Sequence, residues 1–147
     1  MKAYVFPGQG AQFSGMGKGL FDLSAEAKAL FQQADDVLGY SLSKVMFEGT
    51  DEELRETKIT QPAIFTHSAI TYLTAVEIEQ PTAVAGHSLG EFSALVAAGA
   101  LDFASALSLV AERALAMQAA TDAFPGTMAA VLGLADDVIE DACAAIE

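Results

Sequence analysis

The run Gly86-His87-Ser88-Leu89-Gly90 has the G-x-S-x-G pattern of a serine nucleophile held on a tight turn. Thr82 to Ala85, just before it, suits a short strand, and the residues from Glu91 onward suit a helix. Strand, glycine-pinched turn and helix together make a nucleophile elbow. The elbow raises the Ser88 hydroxyl above a sheet and leaves the N–H of Leu89 as a donor to a developing oxyanion. The chemistry this supports is acyl transfer. A serine hydroxyl is a weak nucleophile until a base takes its proton, and the chain has two histidines. His87 is adjacent to Ser88, and neighbours on a sharp turn point apart, so His87 is expected to fix the elbow by packing or hydrogen bonding. His67 falls in a helical run beside Phe65 and Ile70 and reads as a structural residue. The sequence thus presents a nucleophile without a base.

Two further residues stand out. Gln9 lies in Pro7-Gly8-Gln9-Gly10, directly after the apolar segment Ala3 to Phe6. In an open α/β sheet the loops at the carboxyl ends of the strands form the site, so this loop and the elbow should open on the same side. Gln9 either helps hold an oxyanion or belongs to a plain glycine-rich turn. Arg113 falls within a helical stripe of Ala106, Leu109, Val110 and Met117. A guanidinium there needs an anion. The partner is either an acid of this chain or the carboxylate of a substrate, held bidentately.

The elements that must carry these residues can be read from caps and breakers. Ser24 caps a helix running to about Leu38, with Gly39 as its stop. Thr50 and Glu53 have capping-box spacing for a short acidic helix. Thr60 is expected to cap a longer helix with Pro62 in its first turn. The elbow helix runs from Glu91 to about Ala98 and stops at Gly99; Asp102 caps a helix to about Ala120. Phe124-Pro125-Gly126 is a turn, Thr127 to Leu132 a strand, and Asp136 to Ile146 a helix. Alternating strands and helices predict an α/β fold with a parallel sheet. Only two convincing strands precede Phe124, fewer than such a sheet needs, and the last residues, Ala144 to Glu147, lie inside a helical pattern. These features are expected of part of a larger protein.

Composition narrows the class. The chain has 147 residues, 52% of them hydrophobic, and a net charge of −13 from twenty acids and seven bases. The bases are scattered, which excludes a stripe suited to nucleic acid. No run approaches the ~18 uninterrupted apolar residues of a membrane span. Met1 to Pro7 lacks the apolar core of a signal peptide. Cys143 is the single cysteine, so neither an internal disulfide nor a zinc cluster is expected, and a reducing, cytoplasmic setting is the simplest expectation.

Taken together, Val5-Phe6-Pro7-Gly8-Gln9-Gly10-Ala11-Gln12, Thr60-Gln61-Pro62-Ala63, Ala85-Gly86-His87-Ser88-Leu89-Gly90-Glu91-Phe92-Ser93-Ala94-Leu95, Glu112-Arg113 and Gly126 to Gly133 resemble the malonyl-CoA:acyl-carrier-protein transacylases. They are similar, too, to the acyltransferase domains of polyketide synthases. The resemblance implies a ping-pong reaction. Ser88 takes the malonyl group from CoA as an ester, and the phosphopantetheine thiol of an acyl carrier protein collects it. It implies that Gln9 and the Leu89 N–H form the oxyanion hole, that Arg113 pairs with the malonyl carboxylate, and that Gln61 and His87 support the site. Leu89 after the serine favours malonyl over methylmalonyl. No metal or cofactor is implied; malonyl-CoA is the substrate.

The resemblance also implies an organisation. Residues 1–124 match the N-terminal part of a large α/β-hydrolase-like subdomain, a partial parallel sheet with flanking helices. Residues 125–147 match the start of a ferredoxin-like subdomain. Members of this family are about twice as long, with the catalytic histidine in their C-terminal half. This chain alone is therefore expected to be nearly inactive without that half as a partner. Two other readings stay open: a serine hydrolase of α/β-hydrolase type, and an inactive fragment that only binds.

Overall fold

The computed structural model describes residues 1–76, 79–126 and 131–146. The elements are β1 (Ala3–Phe6), α1 (Lys18–Leu23), α2 (Ala25–Leu38), α3 (Leu42–Glu48), α4 (Asp51–Arg55), α5 (Thr57–Leu73), β2 (Ala83–Gly86), α6 (Gly90–Ala97), α7 (Phe103–Ala123) and α8 (Asp136–Ala144). β1 and β2 pair in parallel, from Ala3 opposite Ala83 to Phe6 opposite Gly86. The fold is α/β, as the alternation predicts, but most of its mass is helical. A parallel pair needs a long crossover, and here α1 to α5 supply it.

Two apolar clusters hold the elements. The larger joins α2, α3, α5 and α7 through Phe31, Leu42, Met46, Phe65, Ile70, Leu107 and Val110, all nearly inaccessible to solvent. Phe31 meets Phe21 and Phe47 edge to face, at 6.0 and 5.2 Å, and Phe21 and Phe47 are tilted at 5.1 Å. The smaller cluster sits beneath the sheet, where Phe6 packs with Ala94 and Ala97 of α6 and with Tyr4, Tyr72 and Val84. It fastens the strands to the helix that follows the elbow.

Most caps fall where the sequence puts them. Ser24 accepts from the Ala27 N–H, and Gly39 ends α2 at φ 73°. Thr50 and Glu53 form the capping box of α4. Asp102 accepts from the Ser105 N–H at the head of α7, which runs one turn beyond Ala120. α8 forms from Asp136. The expected strand at Thr127 to Leu132 falls largely on residues 127–130, outside those described; Val131 and Leu132 lie in no strand.

One helix start is corrected. Thr60 does not cap α5, which begins at Thr57. The Thr60 hydroxyl instead donates back to the Leu54 carbonyl and ties α4 to α5. Pro62 therefore stands beyond the first turn, where its missing N–H leaves the Lys58 carbonyl without an intrahelical donor. The Tyr40 hydroxyl approaches that carbonyl at 3.4 Å. α1 and α3 carry no local signal. α1 follows Gly17 at φ 82° with no side-chain cap. The N-terminus of α3 is capped by Asp35 of α2, which accepts from the Ser43 N–H at 2.8 Å and the Ser43 hydroxyl at 2.6 Å.

Gly17 and Gly19 separate two roles of glycine within one turn of chain. A Cβ on Gly17 would lie 2.6 Å from Phe31 Cζ, at a left-handed φ; a Cβ on Gly19 meets nothing within 4 Å. Gly17→Ala should therefore destabilise by more than about 1 kcal/mol, while Gly19→Ala should stabilise by about 0.4–1 kcal/mol. Paired denaturant titrations check both signs.

Candidate active site

The elbow is formed by backbone contacts that leave no room for side chains. A Cβ on Gly86 would run into the carbonyl of Gly90 and the amide of Glu91; a Cβ on Gly90 would run into the carbonyls of Phe6 and Pro7. The first turn of α6 thus rests directly on the ends of both strands. Gly8 is confined in the same way, since its Cβ would lie 2.6 Å from the His87 carbonyl oxygen and 2.7 Å from His87 Nδ1. The His87 N–H donates to the Phe6 carbonyl at 3.1 Å, and the His87 carbonyl accepts from the Gly90 N–H at 3.0 Å. The backbone of His87 thus ties the elbow to the end of β1.

Between these contacts Ser88 stands exposed at φ 53°, the one non-glycine residue with positive φ among the described residues. Such a backbone costs about 1–2 kcal/mol in an L-residue, and here it lifts the hydroxyl clear of the turn. Leu89 follows with its side chain buried and its N–H at the head of α6. Among the described residues, no group accepts from that N–H. It remains available to a developing negative charge.

Arg113 reaches the serine from α7. Its Nη2 donates to Ser88 Oγ at 2.9 Å, and its Nη1 donates to Gln61 Oε1 at 2.5 Å. Gln61 is fully buried on α5, and its Nε2 donates onward to Met117 Sδ at 3.2 Å. Among the described residues Arg113 forms no salt bridge with any acid. The stripe around it is only partly buried: Ala106 and Val110 are in the core, but Leu109 is 48% exposed. A half-buried cation therefore stands against Ser88 without a counter-ion among the described residues.

Ser88, Leu89, Arg113, Gln61 and His87 are thus brought together, and Gln9 lies on the neighbouring loop. Gln9 is exposed and makes no hydrogen bond among the described residues. Its loop is shaped by Gly10, at φ 106°, whose N–H donates to Gln12 Oε1 at 2.9 Å. Neither histidine bonds to Ser88 among the described residues. His67 packs edge to face on Phe13 at 6.2 Å and lines a groove between β1 and α5. Burial holds its imidazole below the ordinary histidine value. No group of three or more metal-ligating side chains occurs among the described residues. No described helix is long and apolar enough to cross a membrane. The residue that sequence reasoning left in an apolar stripe is Met117; its spacing of four from Arg113 was the available signal.

Two measurements follow from this geometry. Ser88→Gly and Ser88→Ala both lose the hydroxyl, but only glycine relaxes the positive φ. Ser88→Gly should be the more stable by about 1 kcal/mol in denaturant titrations. For His67 the folded value lies below the unfolded one, so the unfolded chain takes up the proton first. The stability present above about pH 6.5 is then lost as the pH falls below that value. Melting curves at pH 7.5 and 5.5 should show a smaller drop for His67→Gln than for the unsubstituted chain.

Comparison with known proteins gives the chain's family. Residues 3–145 match the acyl transferase domain family. The chain is 46% identical over 144 residues to a polyketide biosynthesis malonyl CoA-acyl carrier protein transacylase of Bacillus velezensis, covering 97% of this chain and 48% of that protein. It is similar in structure to an acyl carrier protein S-malonyltransferase of Vibrio cholerae, with TM-score 0.86 and 45% identity, over 97% of this chain and 47% of that one. A malonyl-transacylase solved in complex with a type II polyketide acyl-carrier protein is also similar, with TM-score 0.84 and 39% identity, over 98% of this chain and 47% of that one. The chain spans about half the length of the curated relatives it matches. The match runs through both strands, the elbow and Arg113, and the chain belongs to the acyl transferase domain family.

Proposed function

We propose that this chain is the nucleophile-bearing part of a transferase that moves a malonyl group from CoA to the phosphopantetheine thiol of an acyl carrier protein through an ester on Ser88. The observation that carries the reading is the Arg113 guanidinium, bonded to Ser88 Oγ at 2.9 Å and without an acidic partner among the described residues. A cation so placed favours an acyl group that ends in a carboxylate. The malonyl transferases among its relatives support the same substrate, and the relative solved with its carrier protein supports the acceptor.

In this reaction the Ser88 hydroxyl attacks the thioester carbonyl, and the Leu89 N–H and Gln9 receive the oxyanion. Arg113 releases Ser88 and takes the malonyl carboxylate, with Gln61 holding its other edge. The tetrahedral intermediate collapses with loss of the CoA thiolate. The carrier-protein thiol then repeats the attack on the ester and frees Ser88. The proton of Ser88 needs a base, and the histidine that serves as base belongs to the C-terminal half. Residues 1–124 form the N-terminal part of a large α/β-hydrolase-like subdomain, and residues 125–147 open a smaller ferredoxin-like one. In support, α8 buries no side chain against the rest of the described chain. The setting is cytoplasmic, where CoA thioesters and carrier proteins meet.

Mass analysis of this chain with malonyl-CoA, and a C-terminal half supplied in trans, should find a malonyl ester on Ser88 that disappears in Ser88→Ala. Arg113→Ala should slow its formation about 10- to 100-fold, matching the ~1.5–3 kcal/mol of a charged hydrogen bond. An uncharged acyl donor should be affected less. Equal sensitivity of both donors would remove the carboxylate role from Arg113.

A further inference from the structure

We infer that Met117 is a positioning residue: its thioether sets which way the Gln61 amide faces, and so holds the Arg113 guanidinium beside Ser88. The link to a carboxylate-bearing acyl group rests on the function proposed above; the orientation itself does not.

The argument starts from the two unlike ends of a buried amide. Gln61 is fully buried, so neither end can turn to water. A guanidinium carries donors and no acceptor, so Arg113 can be met only by the amide oxygen. The contact of Nη1 with Oε1 at 2.5 Å is that arrangement. The amide NH2 then has to face the other way, where it meets Met117 Sδ at 3.2 Å. A thioether accepts a hydrogen bond and cannot donate one. Both neighbours therefore select the same orientation. The reversed amide would set N–H against N–H at Arg113 and carbonyl oxygen against sulfur at Met117.

The placement of the two neighbours is a property of α7. Arg113 and Met117 are four residues apart, one helical turn, and both reach Gln61 on α5. Leucine at position 117 would fill a similar volume but offer no acceptor. The buried NH2 of Gln61 would then be unpaired, and the amide would turn to find a partner. Arg113 would keep its contact with Ser88 and lose the one that fixes its other edge.

The test is nitrogen-15 NMR of the Arg113 guanidinium in this chain. With both edges held, rotation about Nε–Cζ should be slow and the Nη signals resolved. Met117→Leu should merge or broaden them, while selenomethionine, which keeps a chalcogen acceptor, should leave them resolved. In a Gln61→Glu background there is no NH2 to satisfy, so adding Met117→Leu should change nothing further. Unchanged signals in Met117→Leu would overturn the proposal. So would an effect of equal size in the Gln61→Glu background, since that would mark loss of packing alone. In the complemented enzyme, Met117→Leu should raise KM for malonyl-CoA about 3- to 10-fold with kcat retained and leave an uncharged donor unaffected. Absence of any malonyl transfer by the unsubstituted enzyme would defeat the proposed function and leave the NMR result standing.

Discussion

The close approach of the first turn of α6 to the ends of both strands is the constraint on which the site depends. Phe6 opposite Gly86 brings the two carboxyl ends level, and the glycines at 86 and 90 let helix backbone touch strand backbone. A side chain at either position would lift α6 off the sheet. Ser88 would then lose its left-handed turn, and the Leu89 N–H would lose its place at the head of the helix. The same approach draws the Gly8 loop against His87, so the loop that carries Gln9 is positioned by the elbow itself.

The second half of the arrangement comes from the packing of α5 on α7. Phe65 of α5 stacks on Phe103 of α7 at 5.7 Å, and Ile70, Leu107 and Val110 fill the same core. This apolar contact carries a fully buried glutamine with it. A buried amide is costly unless both of its ends are paired, and here the pairing runs from Ser88 through Arg113 and Gln61 to Met117. The polar chain connects the elbow, which is fixed by backbone, to a helix pair that is fixed by apolar side chains. Its free end is the guanidinium edge at Ser88, where, in the proposed function, an incoming carboxylate would displace a neutral hydroxyl from a full positive charge.

What could be read in the sequence follows from how local each cause is. Ser24, the Thr50–Glu53 pair and Asp102 cap the residues just after them, and all three helices begin there. The elbow is legible because its glycines lie within five residues, although Gly90 is needed for its contact with the distant Phe6 and Pro7. α3 was hidden because its cap, Asp35, comes from the preceding helix. α1 was hidden because it starts on a left-handed glycine and is held by aromatic contacts of Phe21 with Phe31 and Phe47. Thr60 misled for a related reason: its hydroxyl is used backward, toward Leu54, and the helix was already under way. Arg113 was visible as an anomaly in an apolar stripe. That its partners are Ser88 and Gln61 rather than an acid depends on how α5 and α7 pack, which no spacing within either helix encodes.

The two histidines sharpen the chemistry of what is present. His87 is committed to the turn, giving its N–H to Phe6 and its carbonyl to Gly90, and its ring lies over Gly8. His67 packs on Phe13 with its charge disfavoured by burial. Among the described residues neither bonds to Ser88 Oγ. The group that does bond to Ser88 is a cation, and a cation stabilises the serine oxygen once the proton has gone but cannot remove it. In the proposed reaction these residues present the nucleophile, meet the oxyanion and select an anionic acyl group, and the proton is assigned to a residue of the C-terminal half.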